Sequence, residues 1–164
     1  MSHATRADLL RRLDELGIVH ETVEHDAVFT VEESRALHER IPGMHSKNLF
    51  FKDAGDRLWL LSAEADRRLD LKTLHTRIGA KRLSFGKPDL LLEVLGVPAG
   101  SVTPFALIND RDRRVSFVLD AAMLGASRVN FHPLENTATT GISPEGLKAF
   151  LRATGHAPQV VELG

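Results

Sequence analysis

At positions 46–64 the chain reads SKNLFFKDAGDRLWLLSAE. Leu49, Phe50 and Phe51 follow the polar lead Ser46-Lys47-Asn48, Ala54-Gly55-Asp56 supply turn chemistry, and positions 57–64 return as a second apolar run. Two apolar runs bracketing a glycine turn predict a β-hairpin. That hairpin anchors a sheet, and the flanking segments are read outward from it.

Upstream, Leu9, Leu10, Leu13 and Leu16 recur at helical spacing and Gly17 stops the pattern, which predicts a helix over 5–16. A short strand is expected over 18–24. Thr30 and Glu33 fit the capping box, so a second helix runs through Arg40 before Ile41, Pro42 and Gly43 end it. Downstream, Asp70 is expected to cap a helix reaching Ile78, a strand follows at 83–85, and Pro88 opens a helix that Gly96 closes. The apolar run within positions 97–110 and the strand-like VSFVLD are separated by Arg111-Asp112-Arg113-Arg114, which reads as another hairpin. Two β-rich stretches flank a turn in RVNFHPLENTATTGI, and Ser143-Pro144-Glu145 open a last helix ending at Gly155. Positions 159–163 supply an edge strand. Hairpins with interspersed helices and no strict βαβ alternation favour a mixed α/β (α+β) fold with a largely antiparallel, curved sheet and surrounding helices.

Composition narrows the chemistry. A chain of 164 residues with 43% hydrophobic and 26% charged residues reads as one globular domain over 1–164. Lys plus Arg number 21 against 22 Asp plus Glu, so any charged partner must be met locally. Cysteine is absent, which removes disulfides, thiolate metal ligands and Cys nucleophiles and suits a reducing cytoplasm. The charged N-terminal stretch reads as neither a signal peptide nor a membrane anchor, so a cytoplasmic protein without membrane association is expected. The histidines at 3, 20, 25, 38, 45, 75, 132 and 156 form no i, i+4 pair, so no metal is expected and most read as solvated or capping residues. No G-x-S-x-G elbow, Walker loop or dinucleotide fingerprint occurs, so neither a serine triad nor a nucleotide cofactor is expected.

Three places stand out. Lys47 and Asn48 put a cation and an amide at the entrance of a core strand, where lysine can hold a phosphate or ribose oxygen; taken alone, a solvated strand-end lysine is the simpler reading. Gly100, Ser101, Val102, Thr103 and Pro104 form a G-x-x-x-P loop whose backbone could line a pocket or simply connect two elements. His132, followed by Pro133, is held extended at a strand end. Seven cations, Arg67, Arg68, Lys72, Arg77, Lys81, Arg82 and Lys87, stand against Asp70 alone, a local charge of +6 that fits either nucleic-acid phosphates or a solvated face.

HSKNLFF, GSVTPFAL and NFHPLENTATTGIS, in that order, resemble the YbaK/ProXp family of aminoacyl-tRNA editing domains, similar to the insertion domain of bacterial prolyl-tRNA synthetase. The K-N-L-F form looks like the free-standing ProXp-ala (PrdX) branch. The resemblance implies trans-editing hydrolysis of alanine misattached to proline tRNA, with no cofactor and with mischarged tRNA and, transiently, prolyl-tRNA synthetase as partners. Alternatives within it are a deacylase for cysteinyl or seryl groups, or a non-catalytic tRNA-binding module. Lys47, Gly100 and His132 are the catalytic positions it implies. Asn48, Ser101, Val102, Thr103, Pro104, Asn136, Thr137 and Thr139 would shape the substrate pocket. Leu134 stands where some relatives carry glycine, which leaves its local path open.

Overall fold

The computed structural model describes residues 3–28 and 30–163. Its helices are α1 (Arg6–Glu15), α2 (Val31–Arg40), α3 (Leu74–Ile78), α4 (Pro88–Leu95) and α5 (Pro144–Thr154). The strands are β1 (His20–Glu24), β2 (Met44–Asp53), β3 (Leu58–Glu64), β4 (Leu83–Phe85), β5 (Val115–Asp120), β6 (Val129–Phe131), β7 (Ala138–Ile142) and β8 (Gln159–Val161). They form one mixed sheet ordered β1-β7-β6-β2-β3-β5-β8, with β4 added beside β2. β1/β7, β6/β7, β2/β3 and β2/β4 pair antiparallel, whereas β2/β6, β3/β5 and β5/β8 are parallel.

The expected hairpin is β2/β3, in register from Ser46 opposite Glu64 to Lys52 opposite Leu58. Both faces of these central strands are covered, which explains why positions 58–61 are apolar without alternation. Phe50, Leu60, Phe117 and Leu119 pack with Leu13 of α1, Leu95 of α4 and Phe150 of α5. Phe51, Trp59, Leu61 and Val118 pack on the opposite face with Leu74 and Ile78 of α3.

Helix ends follow the local signals. Thr5 and Asp8 form a reciprocal capping box, and Gly96 and Gly155 close α4 and α5 with φ of 69° and 83°. Thr30 accepts from the Glu33 amide, but the return bond from the Thr30 amide to the Glu33 carboxylate is absent, so half of the expected box forms.

Two expectations are corrected. Asp70 caps a turn, its carboxylate taking the Lys72 amide, and α3 itself starts only at Leu74. The apolar segment before Arg111 is no strand: Pro104–Asn109 is a 3₁₀ helix begun by the Thr103 hydroxyl, which accepts from the Phe105 amide. Its Phe105, Ala106 and Leu107 are buried in the core. β5 takes β3 and β8 as neighbours on its two sides, so no edge remains for a hairpin partner.

Candidate active site

β2 is the element that builds the site. Along one of its sides it pairs with β6 only at Met44 and His45, and with β4 only from Phe51 to Asp53. Between these pairings β2 and β6 part, and a pocket of about 210 Å³ opens in the fork. Ser46, Lys47 and Asn48 wall it on one side, Phe131 and His132 on the other, and His38 of α2 closes over it. A wider cleft of about 990 Å³ adjoins it and shares Val28, Ser34, His38, His45 and Ala65.

Successive strand residues point to opposite faces, so Lys47 and Asn48 enter the pocket by different routes. The Lys47 ammonium donates to the Arg67 carbonyl, which holds the side chain across the strand and leaves two of its three N–H groups free. Arg67 is itself fixed: its Nε lies 3.2 Å from Asp120 Oδ2, and that fully buried carboxylate also accepts from the Glu64 and Ala122 amides. Asn48 is fixed by its opposite number across the hairpin. Ser62, with no exposed surface, donates to Asn48 Oδ1 at 2.5 Å, and Asn48 Nδ2 donates to Ser46 Oγ at 3.1 Å. With its oxygen engaged, Asn48 offers the pocket its remaining N–H, a donor.

His132 is oriented by a single bond. Its Nδ1 lies 2.9 Å from the Ala138 carbonyl, which can only accept, so Nδ1 carries the proton and the neutral ring has its lone pair at Nε2. Burial holds this imidazole below its ordinary value and nearby His25 reinforces the shift, while the bond to Ala138 opposes it. The His25 ring lies 6.4 Å away, its Nε2 bonded to Thr139 Oγ1 at 2.8 Å. His38 and His45 stack with centroids 4.0 Å apart, and both are lowered chiefly by burial.

The structure thus brings Lys47, Asn48, His132 and Thr139 to one pocket, whose wall contains none of residues 100–104. The G-x-x-x-P loop lies against the β6–β7 turn, where a Cβ on Gly100 would come within 3.3 Å of Asn136 Nδ2. Ser101, Thr103 and Pro104 are buried, and Val102 is half-buried against the core. Asn136 and Thr137 lie in that same turn, outside the pocket wall, and the Thr137 carbonyl accepts from the His25 amide at 3.0 Å. Leu134 adopts φ of 71°, the left-handed conformation that glycine takes freely, so its backbone follows the path a glycine there would choose. The bond of His25 to Thr139 beside His132 and the stacked rings of His38 and His45 have no mark in the sequence, where only the number and spacing of histidines are visible. Among the described residues no group of three or more His, Cys, Asp or Glu side chains is arranged to hold a metal, and no helix is long and apolar enough to cross a membrane.

Residues 25–150 match the family described as the aminoacyl-tRNA editing domain, and the chain belongs to it. It is 43% identical over 161 residues to the mouse prolyl-tRNA synthetase associated domain-containing protein 1, covering 95% of each chain. It is 38% identical over 156 residues to the prolyl-tRNA editing protein ProX of Acetoanaerobium sticklandii, covering 94% of this chain and 95% of that one. A solved structure described as a proposed trans-editing enzyme for prolyl tRNA synthetase superposes with a TM-score of 0.71 at 23% identity, over 99% of this chain and all of the other, which shows the shared fold.

Proposed function

We propose that the chain is a trans-acting aminoacyl-tRNA deacylase that hydrolyses alanine wrongly esterified to proline tRNA. The observation that carries this reading is the meeting of Lys47, Asn48 and His132 at one small pocket opening into a wider cleft. The names of the relatives supply the proline system.

In this reading Lys47 holds phosphate and ribose oxygens of the terminal adenosine with its two free N–H groups, and the aminoacyl group enters the smaller pocket. An aminoacyl ester is already reactive, so positioning a water and stabilising the developing oxyanion supply much of the acceleration. In this reading the second Asn48 N–H donates to that oxygen. His132 Nε2 takes up the water's proton and returns it to the ribose oxygen that departs as the acyl C–O bond breaks, and the neighbouring ribose hydroxyl orients the same water. Because the 100–104 loop does not wall the pocket, Gly100 acts at a distance, keeping the Asn136 turn close behind His132.

Selection is by size. A synthetic site built for proline rejects smaller alanine weakly, since each methylene is worth about 1–3 kcal/mol, and a second, smaller sieve removes the error. Alanyl and prolyl esters on the same tRNA are therefore expected to differ sharply in deacylation rate. Equal rates would contradict size exclusion, and faster hydrolysis of cysteinyl or seryl esters would reassign the substrate.

The pH profile tests His132. A base must be neutral, and burial lowers this imidazole below the ordinary value of about 6.5. kcat/KM is expected to be level at neutral pH and to fall on acidification with a midpoint beneath that value. His132→Gln should lose the limb together with most of the rate. A midpoint above the ordinary value, or an unchanged profile in the variant, would remove His132 as the base.

A further inference from the structure

Phe85 is 59% exposed, on a strand that among the described residues pairs only with β2. One side of its ring rests on Phe51, with centroids 5.1 Å apart and planes inclined by 29°, which holds it in place while the rest of the ring faces outward. Exposed Lys81, Arg82 and Lys87 flank it, and none of the three forms an ion pair among the described residues. The nearest acidic groups on β2 and its turn are already engaged: Asp53 is buried and accepts from Gly55, Arg57, Trp59 and Lys81, and Asp56 pairs with Lys52. A held aromatic ring amid unpaired cations has the chemistry of a surface for single-stranded nucleic acid, in which bases stack and phosphates meet positive charge.

Position narrows the occupant. Phe85 lies opposite Phe51, which shares a β2 face with Lys47 four residues away, ~13 Å at the rise of a strand. That distance is a few nucleotides at ~3.4 Å per stacked base. Resting on the reading that Lys47 holds the terminal adenosine, we propose that Phe85 is a stacking platform for an unpaired nucleotide of the RNA 3′ end, just upstream of that adenosine.

The test is binding of an RNA hairpin with a short unpaired 3′ extension, beside the same hairpin with a blunt end, across a salt series. Phe85→Ala is expected to weaken binding of the extended hairpin about tenfold. The factor should be the same at every salt concentration, because stacking releases no counterions. Phe85→Leu should behave like Ala, Phe85→Trp should keep wild-type affinity, and the blunt hairpin should bind all four proteins alike. Unchanged affinity in the Ala variant, an equal loss on the blunt hairpin, wild-type behaviour in the Leu variant, or no binding by the wild type would each overturn the platform. Deacylation, measured separately, divides the two claims. A wild type that binds in the expected pattern but does not hydrolyse refutes the deacylase and leaves the platform standing; one that hydrolyses while Phe85→Ala binds normally does the reverse.

Discussion

Lys47→Ala is expected to lower kcat/KM for deacylation by about two to three orders of magnitude, the loss typical of removing one preorganised electrostatic contact from a reacting centre. The fold should persist, because the lysine is half-buried at the pocket rim and, among the described residues, the one hydrogen bond of its side chain is to the Arg67 carbonyl. Lys47→Arg is the sharper control. It keeps the charge but replaces a compact ammonium with a planar fork that does not fit between the Arg67 carbonyl and a ribose. Activity is therefore expected to stay well below wild type. Steady-state kinetics and thermal melts on the same preparations measure both, and full activity in the Ala variant would remove Lys47 from the chemistry.

The largest effect on stability is expected at Asp120, which has no catalytic contact. Its carboxylate is fully buried and satisfies the Arg67 guanidinium and two backbone amides. Asp120→Ala strands all three donors. Breaking a buried pair costs about 3–5 kcal/mol, and the lower end applies because the Arg67 side chain remains 24% exposed and can reach water. For a chain of this size that is a fall in Tm of about 6–12 °C. Activity should fall as well, since Arg67 positions the carbonyl that holds Lys47. A melt within a degree of wild type would show that the pair contributes nothing. Of the seven cations in the basic stretch, Arg67 is thus the one committed inward, while Arg68, Lys72, Arg77, Lys81, Arg82 and Lys87 are exposed.

What could be read in advance was local. The hairpin at 46–64 announces itself through two apolar runs and a glycine turn, and the ends of α1, α4 and α5 through Gly17, Pro88, Gly96, Ser143 and Gly155, because each signal acts within a few residues of itself. Neighbours in the sheet were hidden. β5 lies between β3 and β8 through pairings far apart in the chain, and that placement turned an expected hairpin strand into the 3₁₀ segment after Thr103. The site divides in the same way. Lys47, Asn48 and His132 stand out by their places at strand ends and take their roles from the family resemblance, whereas the Asp120–Arg67 anchor and the stacked pair His38 and His45 exist only once strands 3 and 5 and helix 2 are assembled. Leu134 lies between these cases, its residue type giving no hint of the left-handed backbone that it adopts after His-Pro.

The most direct test of the central claim is the rate at which the purified protein releases alanine from alanyl-tRNA of proline identity. The account predicts release far faster than spontaneous ester hydrolysis, unaffected by a metal chelator, and lost with Lys47→Ala. Release no faster than the uncatalysed ester, in a preparation that is folded and binds the RNA, would contradict it.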